Sequence, residues 1–96
     1  PATMPTMIII AGHLRVDPAA RAEFLASAVA IMRMARSATG CLDFSLSADP
    51  IEADRVNVFE RWSSRYTLDA FRGSGPSQLQ AAHILSADVH EYSVGS

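Results

Sequence analysis

A carboxylate and an indole two residues apart, Glu60 and Trp62, are the side chains of this sequence best placed to do chemistry. In an extended segment, residues two apart project from the same face. Val56, Val58, Glu60 and Trp62 therefore share one face, while Asn57, Phe59 and Arg61 share the other. Two readings of Glu60 stand side by side. Either it pairs with an arginine at the sheet surface, or it faces a helix, where burial raises its pKa and equips it as a base. Trp62 reads as a large ring packed beneath a helix, with an indole N–H that needs an acceptor. His83 shares a helical face with Leu79 and Ala82, as a buried neutral imidazole bonded to a backbone carbonyl or as a ligand contact. Tyr66 and Arg72 sit where they would cap a pocket. Phe24, Met32, Phe44 and Phe71 form an apolar wall between helices and sheet, and a planar aromatic ligand fits against such a wall.

Other chemistries have little foothold. The sequence offers no metal-ligand spacing and no Ser or Cys nucleophile in a recognisable context. The run Gly73-Ser74-Gly75-Pro76 lacks the preceding strand and following Lys of a phosphate loop, and reads as a helix break. His13, His83 and His90 lie far apart, on a strand, a helix and a strand in turn. All eight basic residues are arginines, scattered from Arg15 to Arg72 in a chain of net charge −2, so nucleic acid is not an expected partner. Cys41 is the one cysteine of the 96 residues, which rules out an intramolecular disulfide and suits a reducing compartment. The run Met7 to Ala11 is too short for a signal h-region, and no apolar stretch approaches the roughly 20 residues of a membrane span. A cytoplasmic location follows as the expectation, with no membrane partner.

These side chains must be positioned by a short series of elements. Residues 1 to 6, with two prolines, read as a flexible leader, and residues 7 to 96 as a single domain. Met7 to Val16 alternates as a first strand in which Gly12 marks a bulge or a close approach. Asp17-Pro18 supplies a cap and a first-turn proline for a helix running to about Ala38, with Phe24, Ala28, Ile31, Met32 and Ala35 at helical spacing. Gly40 is placed to end it in a left-handed conformation. Leu42, Phe44 and Leu46 mark a second strand, Asp49 to Asp54 a turn, and Arg55 to Trp62 a third strand. Ser63 or Ser64 caps a short helix through Phe71, Pro76 opens another reaching about Ser86, and Val89 to Val94 forms the last strand. The order β-α-β-β-α-β is ferredoxin-like, of the α+β class with an antiparallel sheet. Runs such as Ile8-Ile9-Ile10 and Val58-Phe59 leave both sheet faces apolar, so the face without helices needs a partner, and a homodimer packing sheet on sheet supplies one.

The pattern Glu60-x-Trp62-x(8)-Phe71, with the Gly12-His13 strand, the Gly40-Cys41-Leu42 turn and the Phe71-Arg72-Gly73-Ser74 helix end, resembles the antibiotic biosynthesis monooxygenase family. That resemblance implies a dimeric α+β barrel and a cofactor-independent monooxygenase, which uses O2 to turn an anthrone-like or hydroquinone-like phenol into a quinone. It also implies that Trp62 and Asn57 donate hydrogen bonds to substrate oxygens. Asn57 lies on the opposite strand face from Trp62, so both line one pocket only if a bulge intervenes. Heme-degrading members of the same superfamily are similar in the stretch Gln80-Ala81-Ala82-His83, which adds His83 to the implied site. They carry an asparagine on the first strand, where this chain has His13. The implied substrate is a small aromatic with O2, with no cofactor. A dimeric ligand-binding or regulatory module of the same fold, without chemistry, is the alternative, and a heme-degrading monooxygenase is the third reading.

Overall fold

In the computed structural model, residues 6–73 and 83–95 are described, and they include four strands and two α-helices. These are β1 (Thr6–Val16), α1 (Arg21–Ser37), β2 (Cys41–Ala48), β3 (Arg55–Trp62), α2 (Arg65–Arg72) and β4 (Ile84–Gly95). The strands make one antiparallel sheet in the order β2-β3-β1-β4. This is the expected ferredoxin-like arrangement.

Local chemistry fixes the helix ends. The Asp17 carboxylate accepts from the backbone N–H of Ala19 at 2.9 Å, and the first turn after it, Pro18–Ala20, is 3₁₀, so the α-helix proper begins at Arg21. Phe24, Ala28, Ile31 and Ala35 recur every three or four residues and form the buried stripe of α1. At the other end Gly40 takes φ +83°, and a Cβ there would stand 2.3 Å from Thr67 Oγ1. Only glycine lets this corner seat so closely on α2. The Gly40 carbonyl accepts from Ser63 N–H at 2.7 Å, and Ser64 Oγ caps α2 by accepting from Thr67 N–H.

Strand alternation then sorts the side chains. Ile8, Ile10, Leu14 and Val16 of β1, Phe44 and Leu46 of β2, and Val56, Val58 and Trp62 of β3 are buried with the α1 stripe and Leu68 of α2. Full burial of each large apolar side chain contributes about 1.5–3 kcal/mol. Gly12 is the close approach that its position suggests. It has φ +149°, and a Cβ would lie 2.0 Å from the Asp88 carbonyl oxygen on β4. The other face carries Met7, Ile9, Ala11, Phe59, Tyr92 and Val94 by the same alternation. Phe59 and Tyr92 are 40% and 52% exposed.

One expected boundary is corrected. The last strand begins at Ile84 instead of Val89, so no helix reaches Ser86. Ser86, Ala87 and Asp88 are weak strand formers, but Val16, Arg15, Leu14 and His13 of β1 pair with Ile84, Ser86, Ala87 and Asp88, and that ladder overrides propensity. The remainder of the helix expected from Pro76, through Ala82, lies outside the described residues. Among the described residues no helix is long and apolar enough to cross a membrane.

Candidate active site

Register places a carboxylate inside the helix-covered face. Phe44, Glu60, Ile10 and Glu91 form one row across β2, β3, β1 and β4. Glu60 is half-buried in that row, and the indole Nε1–H of Trp62 donates to its Oε1 at 2.9 Å. Oε2 has no hydrogen-bond partner among the described residues. Burial pushes the Glu60 carboxyl above the ordinary carboxylate range and nearby Glu91 adds to the rise, while the Trp62 donor and the Arg72 charge act against it. Of the two readings of Glu60, the structure gives the helix-facing one, and no arginine ion-pairs with it among the described residues. A carboxylate held by one oxygen, with the other available and its proton affinity raised, is equipped to accept a proton.

Aromatic rings wall this carboxylate. Trp62 is fully buried and lies against Phe71 at 5.3 Å between ring centroids, tilted by 30°. Phe71 in turn meets Phe44 edge-on at 6.1 Å. On its far side Phe71 lines a mostly apolar cleft of about 430 Å³ with Ala38, Thr39, Tyr66, Thr67 and Ala70. The open end of the row is charged. Glu91 accepts from Arg65 Nη2 at 2.9 Å and from Arg72 Nη1 at 2.8 Å, which holds its carboxyl below the ordinary range.

A half-buried Glu60 beside a buried Trp62 on the third strand of a ferredoxin-like sheet narrows the comparison with known proteins. The sequence profile described as antibiotic biosynthesis monooxygenase matches residues 7–83. The chain belongs to that family. An uncharacterised protein of Synechocystis, sll1783, is 34% identical over 62 residues, which is 65% of this chain and 42% of that protein. The match thus spans less than half the length of this curated relative. Rv0793 of Mycobacterium tuberculosis superposes with a TM-score of 0.75 at 25% identity, covering 91% of this chain and 92% of that one. Protein SO0527 of Shewanella oneidensis superposes with a TM-score of 0.81 at 15% identity, covering 97% and 94%. These likenesses establish the fold.

Within this family member, the residues singled out by sequence do not converge on one pocket. Trp62 and Glu60 meet, Phe44 and Phe71 flank them, and Phe24 and Met32 lie in or against the same core. Asn57 is on the opposite face, because the register along β3 is unbroken from Arg55 to Trp62 on its β1 side. Its amide is engaged in the hairpin, with Oδ1 accepting from Arg55 Nε at 2.7 Å and Nδ2 donating to Asp49 at 3.0 Å. His13 stands beside Asn57 on that face, in register with it and with Asp88. His83 is in a 3₁₀-helical conformation immediately before β4, and is half-buried. Its expected companions Leu79, Gln80, Ala81 and Ala82 lie outside the described residues. Tyr66 is 82% exposed at the rim of the cleft. Sequence reading missed Arg65 and Glu91. The available signal was the seven-residue spacing of Arg65 and Arg72, two turns on one helix face, together with Glu91 sharing the alternation of Val89.

Proposed function

We propose that this chain is a cofactor-independent monooxygenase that oxidises a phenolic, anthrone-like aromatic to a quinone with O2, and that Glu60 takes the first proton. The observation that carries this reading is the half-buried Glu60, tied through Oε1 to Trp62 and left with Oε2 for a substrate. The planar substrate lies against Phe44 and Phe71 and presents an acidic C–H or phenol O–H to Oε2. Loss of that proton makes an anion rich enough to pass one electron to O2. The radical pair then joins as a peroxide at carbon, Glu60 returns its proton to that peroxide, and loss of water leaves the carbonyl. For an anthrone the balance is anthrone plus O2 giving anthraquinone plus water, with all four electrons drawn from the substrate. In this scheme Trp62 acts through Glu60, because its one N–H is already spent on that carboxylate. Apolar walls keep water from the anion.

The exposed face of the sheet supports a homodimer. Met7, Ile9, Phe59, Tyr92 and Val94 form an apolar surface there, and two such faces pack at about 10 Å, as in sheet sandwiches. His13 and Asn57 belong to this interface in the proposal. Sedimentation is expected to give twice the chain mass, and a monomer at micromolar concentration would contradict it. The lone, half-buried Cys41 accords with a cytoplasmic location. One observation favours a binding module instead: the apolar cleft is lined by neither Glu60 nor Trp62.

Oxygen uptake with 1,8-dihydroxyanthrone separates the two. The wild-type chain is expected to accelerate uptake, and Glu60→Gln to lose ~10² or more of that rate, the usual contribution of a positioned base. Equal rates in the two proteins would remove Glu60 from the chemistry. Saturable binding of the anthrone without uptake would favour the module.

A further inference from the structure

We propose that Arg36 closes the open edge of β2 against strand addition, so that this chain does not pair edge to edge with a second copy of itself. The sheet order β2-β3-β1-β4 leaves β2 with one neighbour, β3. One hydrogen bond sets the direction of its backbone groups. Asp49 N–H donates to the Arg55 carbonyl at 3.0 Å, so Asp49 turns its backbone groups toward β3. Along an antiparallel ladder, residues alternate between those bonded to the neighbour and those turned away from it, and the β2–β3 register is unbroken from Asp43 to Ala48. Phe44, Leu46 and Ala48 therefore direct their N–H and C=O groups away from β3, to the open edge. Such a row is a template for another strand. A second copy fits it by symmetry: antiparallel pairing of β2 with itself, centred on Leu46, sets Phe44 of each protomer opposite Ala48 of the other, as a two-fold axis requires.

Two features of β2 oppose that pairing. The strand is bulged at Leu42, where the register shifts between Cys41 and Asp43, and a bulge bends the ladder away from a flat partner. Further along, Arg36 reaches the edge from the last turn of α1, a helix that packs against β2. Its Nε donates to the Phe44 carbonyl at 2.8 Å, so an acceptor of the open edge is already occupied. The Arg36 side chain is exposed, and its guanidinium makes no ion pair with a carboxylate among the described residues. Arg36, Leu42, Asp43, Phe44 and Ser45 border a groove of about 480 Å³ beside this edge. An arriving strand would have to break the bond to Phe44 and bury an unpaired charge, and the second of these is among the costliest steps in association. The inference uses neither the proposed oxidation nor the face-to-face dimer, because edge pairing would double whatever mass the wild type has.

Arg36→Met keeps an unbranched apolar stem and removes the charge. Sedimentation over a concentration series tests it, with circular dichroism confirming native structure. Arg36→Met is expected to reach twice the wild-type mass at concentrations where the wild type does not, its self-association strengthened by ~10-fold or more once no charge is buried. Hydrogen exchange in that assembly should slow at the Phe44, Leu46 and Ala48 amides. Adding Ala48→Pro removes an edge N–H at a position where proline is tolerated, and the double variant is expected to return to the wild-type mass. Wild-type mass for Arg36→Met at every concentration would overturn the inference. So would association that survives Ala48→Pro, or that protects amides outside β2, since either would use another surface. Should Arg36→Met lose its native circular dichroism, Arg36→Gln, also uncharged, decides in its place by the same readings.

Discussion

Replacing Trp62 with phenylalanine separates packing from polar support at the candidate base. The indole is fully buried against Phe71, and truncating buried aromatic rings to alanine costs ~3–5 kcal/mol. Retaining a phenyl ring limits the packing loss to about 1–2 kcal/mol. The lost N–H donor to a carboxylate would add about 1.5–3 kcal/mol if buried, and roughly 1 kcal/mol once discounted because Glu60 is half in water. The polar part depends on pH. Trp62 binds the ionised carboxylate more strongly than the protonated one, so its removal raises the folded pKa of Glu60 further. A carboxyl whose folded pKa is raised favours folding below its unfolded pKa and loses that contribution as pH rises through the folded value. Trp62→Phe should thus cost about 1–2 kcal/mol near pH 4 and about 2–3 kcal/mol near pH 8. Urea unfolding followed by circular dichroism measures both, and the same series in a Glu60→Gln background should lose the pH dependence. A penalty that is flat with pH, or one that grows equally without Glu60, would refute the reasoning.

Gly12→Ala would drive a Cβ into the Asp88 carbonyl at a backbone conformation suited to glycine, and is expected to cost ~3 kcal/mol or more; hydrogen exchange along β4 should rise first. Asp49, lowered to about 2 by the Asn57 side chain, the Glu52 and Ile51 N–H groups and nearby Arg55, stabilises the β2–β3 turn above the ordinary carboxylate pKa, and that contribution is lost as pH falls through about 2. Asp49→Asn should flatten that stretch of an acid-unfolding curve followed by circular dichroism. Because the proposed oxidation draws every electron from its substrate, oxygen uptake should be unchanged by a chelator, and a rate restored only by added metal would contradict the scheme.

Much of this architecture was legible in the sequence because local and global signals agreed. Alternation placed Glu60 and Trp62 together and Asn57 opposite, Gly40 marked the end of α1, and Gly12 marked a close contact with β4. Propensity misled where pairing overrode it, at Ile84 to Asp88. The site was harder to read. Spacing shows that an indole needs an acceptor, but not that the acceptor is the carboxylate two residues away on its own strand. The Arg65–Glu91–Arg72 cluster joins α2 to β4 over sequence separations of 26 and 19, and no local pattern reveals an ion pair across such distances.

The central claim is that Glu60 is the proton acceptor, and the most direct measurement compares two midpoints in one protein. The pH dependence of kcat/KM for anthrone oxidation gives the kinetic midpoint of the free enzyme's base, and the Trp62 indole resonance gives the midpoint of Glu60. The account predicts that the two coincide and that Glu60→Gln abolishes both. A rate that does not change through the Glu60 midpoint, or that survives in Glu60→Gln, would contradict it.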